Sequence, residues 1–175
     1  MKTGKTVKVL LTAATAAGML AGCGSKTDTD TFRFASELDI QGMDSTVVDD
    51  GMSFNAIHAI TDGLTAVNEK GKTAPAIAKS WDVSDDGKTY TFHLRDAKWS
   101  NGDKVTANDF VYSWRKIIKD AGNYAYMLGS GGASVKNADA LMELGANATD
   151  EQMATLGVTA KDDKTLVVEL ENKVP

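Results

Sequence analysis

Few side chains in this sequence could take part in catalysis or bind a metal, and they lie far apart. Cys23 is the only cysteine, and His58 and His93 are the only histidines. A single cysteine rules out a disulfide within the chain and a metal site built on several thiolates. Neither histidine has a nucleophile or carboxylate at a spacing typical of a catalytic set, so we interpret both as surface or packing residues. The residues therefore predict no enzyme, no metal site and no cofactor.

Two other segments have the composition of ion-binding loops without the spacing. The run from Asp82 to Gly87 begins like a calcium-binding EF-hand loop, but Leu94 stands near the position of the bidentate glutamate. The glycine-rich run at 129–132 lacks the lysine and the strand–loop–helix setting of a phosphate-binding loop. We interpret the first as a solvated turn and the second as a flexible loop.

Composition bounds the class of protein. The 175 residues are 42% hydrophobic and 25% charged, which is typical of a globular chain. The formal net charge is −5, and the first 22 residues hold three lysines and no acid, so the remainder is more acidic still. An acidic chain argues against nucleic acid as a partner, because the phosphate backbone requires a basic surface.

The amino terminus has the pattern of a secretory signal. Residues 1–8 are lysine-rich, residues 9–20 are uncharged and mostly apolar, and small residues follow. The apolar run is about half the ~20 residues that a membrane-spanning helix needs. We therefore expect residues 1–22 to be a signal peptide.

The four residues LAGC at 20–23 resemble the bacterial lipobox. This resemblance implies cleavage before Cys23 and attachment of a diacyl lipid to its sulfur. The polar run after Cys23 is suited to a flexible tether, so residues 23–31 are expected to be the lipidated cysteine and its linker. A single acyl chain binds membranes only marginally, whereas two chains anchor a protein stably.

The most informative structural pattern lies between residues 81 and 114. An Asp-Asp-Gly-Lys turn at 85–88 separates two alternating segments and predicts a β-hairpin, and a second turn follows at 100–103. Thr106 and Asp109 form a capping-box variant that opens a helix ending near Gly122. That helix has an apolar stripe at helical spacing: Phe110, Val111, Trp114, Ile117 and Ile118.

Weaker patterns predict the remaining elements, and together they give a mixed α/β chain. The expected elements are a strand at 31–35, a helix capped by Ser53 and ended by Gly63, a strand at 64–68, a helical turn at 76–79 after Pro75, a helix at 137–144, a helix opened by a capping box at 149–152 and ended by Gly157, and a hairpin of 158–160 with 165–170.

The segments AKSW, DGKTYTFHLR, KWSNG and VTANDFVYSW within residues 78–114 resemble the family 5 extracellular solute-binding proteins, and most closely the oligopeptide-binding proteins of ABC importers. Further similar segments include residues 61–64 and 156–175, so the resemblance covers roughly 31–175. It implies a mixed α/β chain that is the incomplete N-terminal part of a two-lobe, type II periplasmic-binding-protein fold. Residues 32–175 would be the truncated family domain.

The resemblance also implies which residues contact a peptide. The segment of Asp49, Asp50 and Gly51 matches one whose acid lies close to the peptide and whose backbone pairs with it; which aspartate corresponds to that acid stays open. Tyr124 matches a peptide-facing tyrosine in the family's Pro-Tyr-Ala motif, although here Asn123 replaces the proline. Trp81, Trp99 and Trp114 are expected to build the core of the lobe rather than the site.

The function implied is that of a monomeric, lipid-anchored receptor on the extracytoplasmic face of the cell membrane. It would bind oligopeptides and deliver them to the permease subunits of an ABC transporter. Within the same class, a dipeptide, a signalling peptide or a nickel complex remains possible as the ligand. A second class is an interaction lipoprotein that uses the same fold without transport.

Overall fold

The computed structural model describes residues 35–174. The expected signal peptide, Cys23, its tether and nearly all of the strand at 31–35 lie outside this range, and Ala35 belongs to no strand. From residue 38 onward the chain forms one compact unit. Within the described residues no helix is long and apolar enough to cross a membrane.

Helices and strands alternate irregularly in this unit. They are α1 (Gly51–Ile60), β1 (Thr65–Val67), β2 (Thr73–Pro75), β3 (Ala78–Val83), β4 (Thr89–Leu94), α2 (Ala107–Lys119), α3 (Ala138–Leu144), α4 (Asp150–Met153), β5 (Val158–Asp162) and β6 (Thr165–Glu169). Short 3-10 turns occupy Ala125–Met127 and Gly145–Asn147. The predicted mixed α/β composition is therefore present.

The main sheet has four antiparallel strands in the order β3-β4-β6-β5. Both predicted hairpins are confirmed, and β4 pairs with β6 to join them, with Tyr90 opposite Val168. The first hairpin turns at Gly87, whose φ of +70° favours glycine because a Cβ crowds the backbone there. On the polar face of this hairpin, His93 Nε2 lies 2.7 Å from Asp82 Oδ2, as expected for a solvated strand residue. A separate small hairpin pairs β1 with β2.

Helix α2 covers one face of the sheet and begins at the predicted capping box. The backbone N–H of Thr106 donates to Asp109 Oδ2 at 2.7 Å, which satisfies a donor that the helix itself leaves unpaired. Val111 and Ile118 are buried, and Phe110, Trp114 and Ile117 pack against the core from its edge. The predicted apolar stripe is therefore confirmed.

The core is built from aliphatic residues rather than from the tryptophans. Its best-buried members come from α2, β5, β6 and the neighbouring loops, and include Ile118, Val135, Leu156, Val158 and Leu166. Burying side chains of this size stabilises the fold by roughly 1.5–3 kcal/mol each. The expectation that all three tryptophans build the core is wrong for Trp99, which is 47% exposed; Trp81 and Trp114 are half-buried.

The predicted start and end of the first helix are wrong. Asp50, not Ser53, is the N-cap of α1, because its carboxylate accepts the backbone N–H of Ser53. Ser53 is fully buried, and its hydroxyl oxygen accepts the N–H groups of Gln41 and Gly42 at 3.0 and 3.2 Å. The helix ends at Ile60, before the expected Gly63.

Two further helical predictions fail for reasons of tertiary pairing and length. Residues 76 and 77 form a bend and residues 78–79 begin β3, because Ile77 and Ala78 donate their N–H groups to the carbonyls of Gly63 and Leu64 at 3.0 and 2.9 Å. Helix α4 opens at its predicted capping box but stops at Met153, well before Gly157.

Candidate functional site

The residues expected to contact a peptide begin at the N-terminus of α1. Asp50 is its N-cap, and Asp50 Oδ1 accepts the N–H of Ser53 at 2.8 Å. Hydrogen bonding from Ser53, first its side chain and then its backbone, lowers the pKa of Asp50 below the usual 3.8. The other oxygen, Oδ2, is shielded from solvent although the residue is partly exposed, and it has no hydrogen-bond partner. The Asp50 carboxylate therefore caps the helix through Oδ1.

Asp49 has a different environment. Its side chain is exposed and makes no hydrogen bond or ion pair with the described residues. It adjoins the first turn of α1, where unpaired backbone N–H groups give the helix end a partial positive charge. Asp49 therefore combines a free carboxylate with neighbouring backbone donors.

Gly51 is the first residue of α1 and is also exposed. A Cβ placed on Gly51 would have no atom within 4 Å, and its φ is not in the left-handed region. Neither packing nor backbone strain therefore requires glycine at this position. What glycine does provide is an uncovered backbone at the helix start, where an extended ligand could approach.

Tyr124 lies beside the same helix. Its ring is half-buried and meets the ring of Phe54, on the first turn of α1, edge to face at a centroid distance of 5.4 Å. This arrangement is a favourable one for aromatic pairs. The structure thus brings together two segments that are distant in sequence and that the resemblance selected independently.

Hydrogen bonds tie the same two segments together. The backbone N–H of Asn123 donates to Thr46 O at 2.9 Å, and Asn123 Nδ2 donates to Val47 O at 2.6 Å. No local pattern predicts this link, because in the sequence Asn123 stands out only as a departure from the Pro-Tyr-Ala motif.

A cavity lies elsewhere on the molecule, apart from residues 49–51 and Tyr124. A cavity of about 1010 Å³ opens between the end of α1, the loop after β4 and the start of α2. Aromatic rings line it, among them Phe92, Trp99, Phe110 and Trp114, and Arg95 pairs with Asp62 at its wall (2.9 Å). It includes none of Asp49, Asp50, Gly51 and Tyr124. Lys98 also lines this cavity, and Arg95 and Asp62 neutralise each other there.

Among residues 35–174, no group of three or more His, Cys, Asp or Glu side chains is arranged to hold a metal ion. The exposed Asp49 carboxylate at the start of α1 suits a cationic or hydrogen-bond-donating partner. The surface there offers a free carboxylate, unpaired backbone groups and an aromatic ring.

Comparison with known proteins identifies the family of the chain. Residues 72–175 match the bacterial extracellular solute-binding proteins, family 5. A dipeptide-binding protein of Lactococcus lactis is 38% identical over 179 residues, which is 100% of this chain and 31% of that protein. The chain thus spans about a third of the length of this relative.

Solved structures give the same result for the fold. The substrate-binding domain of an oligopeptide ABC transporter from Bacillus anthracis matches with a TM-score of 0.72 and 38% identity, over 81% of this chain and 26% of that one. Haemophilus influenzae OppA in complex with the peptide RPPGFSPFR matches with a TM-score of 0.69 and 40% identity, over 77% and 26%. The predicted fold class, part of an oligopeptide-binding-protein fold, is confirmed over about a quarter of those chains. This chain belongs to the bacterial extracellular solute-binding proteins of family 5.

Proposed function

We propose that this chain belongs to an extracytoplasmic receptor that binds oligopeptides and delivers them to the permease of an ABC importer. Membership of family 5 supports a solute-binding role, and similar proteins are named for oligopeptides and dipeptides. The observation that carries the proposal is the ring contact between Phe54 and Tyr124, which unites the start of α1 with the expected peptide-facing tyrosine. The receptor acts by binding and release and catalyses no reaction.

In the proposed complex the peptide lies extended against residues 49–51. Its main chain pairs with their backbone as an added strand would, which gives affinity with little dependence on side chains. Asp49, whose carboxylate is free, faces a positive group or an N–H of the ligand. Asp50 keeps its place as the helix cap through Oδ1, which supports Asp49 as the acid that faces the ligand. Tyr124 packs against the peptide from the other side.

We further propose that residues 1–22 are a signal peptide and that Cys23 carries the lipid anchor, with the tether ending near residue 31. The support for this is the sequence: a lysine-rich start, an apolar run and the only cysteine of the chain at the end of a lipobox-like motif. The monomeric receptor would then stay near its permease at the membrane surface.

Dipeptide binding is a second candidate, because the Lactococcus lactis relative that covers the whole chain is named for dipeptides. A site that pairs with a ligand backbone near one fixed acid could accept short or long peptides, and the lobe opposite would decide the length.

Isothermal titration calorimetry of the full-length gene product tests both candidates. Alanine peptides of two to six residues and RPPGFSPFR form the series, with free amino acids as the control. The oligopeptide proposal expects binding of the longer peptides, and a dipeptide receptor expects a sharp preference for two residues. Failure of every peptide in the series to bind would contradict the proposed function.

A further inference from the structure

Asn123 occupies an unusual place between the two segments of the proposed peptide site. It makes two hydrogen bonds to one short stretch: its backbone N–H donates to Thr46 O at 2.9 Å and its side-chain Nδ2 donates to Val47 O at 2.6 Å. Bonds to adjacent carbonyls from one residue fix both distance and orientation. Tyr124 follows Asn123 directly, so its backbone is oriented by the same pair.

The acceptors of these bonds are themselves held in place. Asp44 accepts the backbone N–H of Thr46 at 2.9 Å and its hydroxyl at 2.7 Å, and Asp44 O accepts the N–H groups of Val47 and Val48. The Thr46 hydrogen bonds, side chain first, lower the pKa of Asp44 below its usual value of 3.8. Val48 is buried, and Asp49 comes next. The turn at 44–48 is therefore held by hydrogen bonds, and residues 49–51 follow it directly.

The close approach of the two segments depends on Gly122 as well. A Cβ on Gly122 would lie 2.8 Å from Thr46 O and 2.7 Å from Ile117 Cγ1, so a larger residue would push the segments apart. The spacing between them is thus set by contact at Gly122 and by hydrogen bonds at Asn123. Proline at 123 could make neither bond, because it has no N–H and no side-chain donor.

We propose that Asn123 is a positioning residue of the peptide site, which holds Tyr124 at a fixed spacing from residues 49–51 without touching the ligand. This inference rests on the proposed function. Asn123 acts through Tyr124: it sets the ring where it meets Phe54, and the bound peptide then contacts a preorganised surface.

The test uses the full-length gene product and the peptide RPPGFSPFR as the probe. Asn123→Ala removes only the side-chain bond and should weaken binding by about threefold to tenfold. Asn123→Asp keeps the size but replaces the donor with a carboxylate facing Val47 O, and should weaken binding at least as much. The matched control is Asn101→Ala, which removes two exposed hydrogen bonds with Asp103 in another turn and should leave affinity unchanged.

A double-mutant cycle separates positioning from general stability. In a Tyr124→Ala background, Asn123→Ala should change affinity by less than about twofold, because the ring that Asn123 positions is already gone. Equal losses in both backgrounds would overturn the proposal, and so would unchanged affinity in Asn123→Ala itself.

A spectroscopic readout covers the case in which no peptide binds. With ¹³C-labelled tyrosine rings, the Tyr124 resonance is assigned by Tyr124→Phe. Asn123→Ala should shift the Tyr124 resonance and leave those of Tyr90 and Tyr112 in place. An unmoved Tyr124 resonance refutes the positioning role whatever binds. If the resonance shifts but the protein binds no peptide, the proposed function is refuted, and so is the role of Asn123 in peptide binding. Asn123 would then still be shown to position the Tyr124 ring.

Discussion

Two neighbouring aspartates at the start of α1 illustrate how environment separates residues of one type. Asp50 caps the helix through Ser53, with one oxygen occluded, whereas Asp49 is exposed and unpaired within the described part of the chain. Sequence comparison alone left the choice between them open, because the alignment can slip by one residue. The cap geometry, which no local pattern specified, supports the proposal that Asp49 is the acid that faces the ligand.

Substituting each aspartate should therefore give opposite phenotypes. Asp50→Ala should lower the urea midpoint of unfolding, because it removes an N-cap. Asp49→Ala should leave that midpoint unchanged and weaken peptide binding by about tenfold, the scale of one hydrogen bond to a charged group. Urea unfolding and calorimetry on both variants measure this. Loss of stability in Asp49→Ala with normal binding would reverse the assignment.

Gly51→Ala should separate stability from binding in a single variant. The new Cβ meets no atom of the folded chain, so the substitution should raise the free energy of unfolding by about 0.4–1 kcal/mol through the unfolded state. The same methyl group should weaken peptide binding, because it covers backbone that the ligand approaches. Denaturant unfolding and titration of the same sample measure both effects. Improved stability with unchanged affinity would place the ligand elsewhere.

At the level of elements, the sequence predicted what local chemistry determines. The turn around Gly87 and the Thr106–Asp109 capping box are short-range signals, and both hairpins and α2 formed as predicted. The predictions that failed depended on distant partners. Ser53 resembles an N-cap but is buried, and its hydroxyl accepts the N–H groups of Gln41 and Gly42. The segment at 76–79 forms a bend and the start of β3, because the carbonyls of Gly63 and Leu64 accept its N–H groups.

The candidate site shows the same contrast between local patterns and distant contacts. Its residues were predictable only through the family resemblance, because the residue types of Asp49, Gly51 and Tyr124 do not indicate peptide binding. Their proximity was not predictable, since it depends on the Phe54 ring and on the Asn123 hydrogen bonds. The size of the three tryptophans predicted that they would be buried, yet Trp99 is exposed at the cavity.

Acidic pH should destabilise the turns and helix ends together. Asp44, Asp50, Asp86 and Asp162 each accept hydrogen bonds from a nearby Ser, Thr or Lys, and each has a pKa lowered from 3.8. A carboxyl group whose folded pKa is depressed adds stability above its unfolded pKa and loses it as pH falls through the folded value. The urea midpoint should therefore fall as the pH drops from about 5 through the unfolded pKa of about 3.9 and below.

Asp86→Asn provides the control, because its amide oxygen still accepts a hydrogen bond from the Lys88 N–H but does not titrate. Its stability should depend less on pH than that of the unsubstituted protein. A midpoint that stays constant or rises on acidification would contradict the cited pKa directions.

At the scale of the whole molecule, the chain corresponds to about a third of its Lactococcus lactis relative and about a quarter of the solved chains. Its fold was predictable because the motifs between residues 78 and 114 are specific to the family. In the proposed complex, affinity and ligand length depend on the surfaces that enclose the peptide. Residues 49–51 and Tyr124 would form one of those surfaces.

The proposed anchoring of the receptor to the membrane should depend on one atom, the Cys23 sulfur. Because Cys23 is the only cysteine, Cys23→Ala should abolish labelling by a clickable fatty acid and move the protein from the membrane to the soluble extracytoplasmic fraction. The change should be nearly complete, because the proposed lipid is attached at this one sulfur. Labelling and fractionation of cells measure this. Persistent membrane retention of the alanine variant would contradict the lipid anchor.

In the proposed complex a bound peptide lies between residues 49–51 and Tyr124. Photo-cross-linking measures directly whether it does. The probe is RPPGFSPFR with a photoreactive group in place of one phenylalanine, bound to the full-length gene product and competed by unlabelled peptide. Mass spectrometry should find competed cross-links on the proteolytic fragments that contain Asp49 to Gly51 and Tyr124. Cross-links confined to the cavity around Trp99 and Trp114, with none at these two segments, would contradict the account.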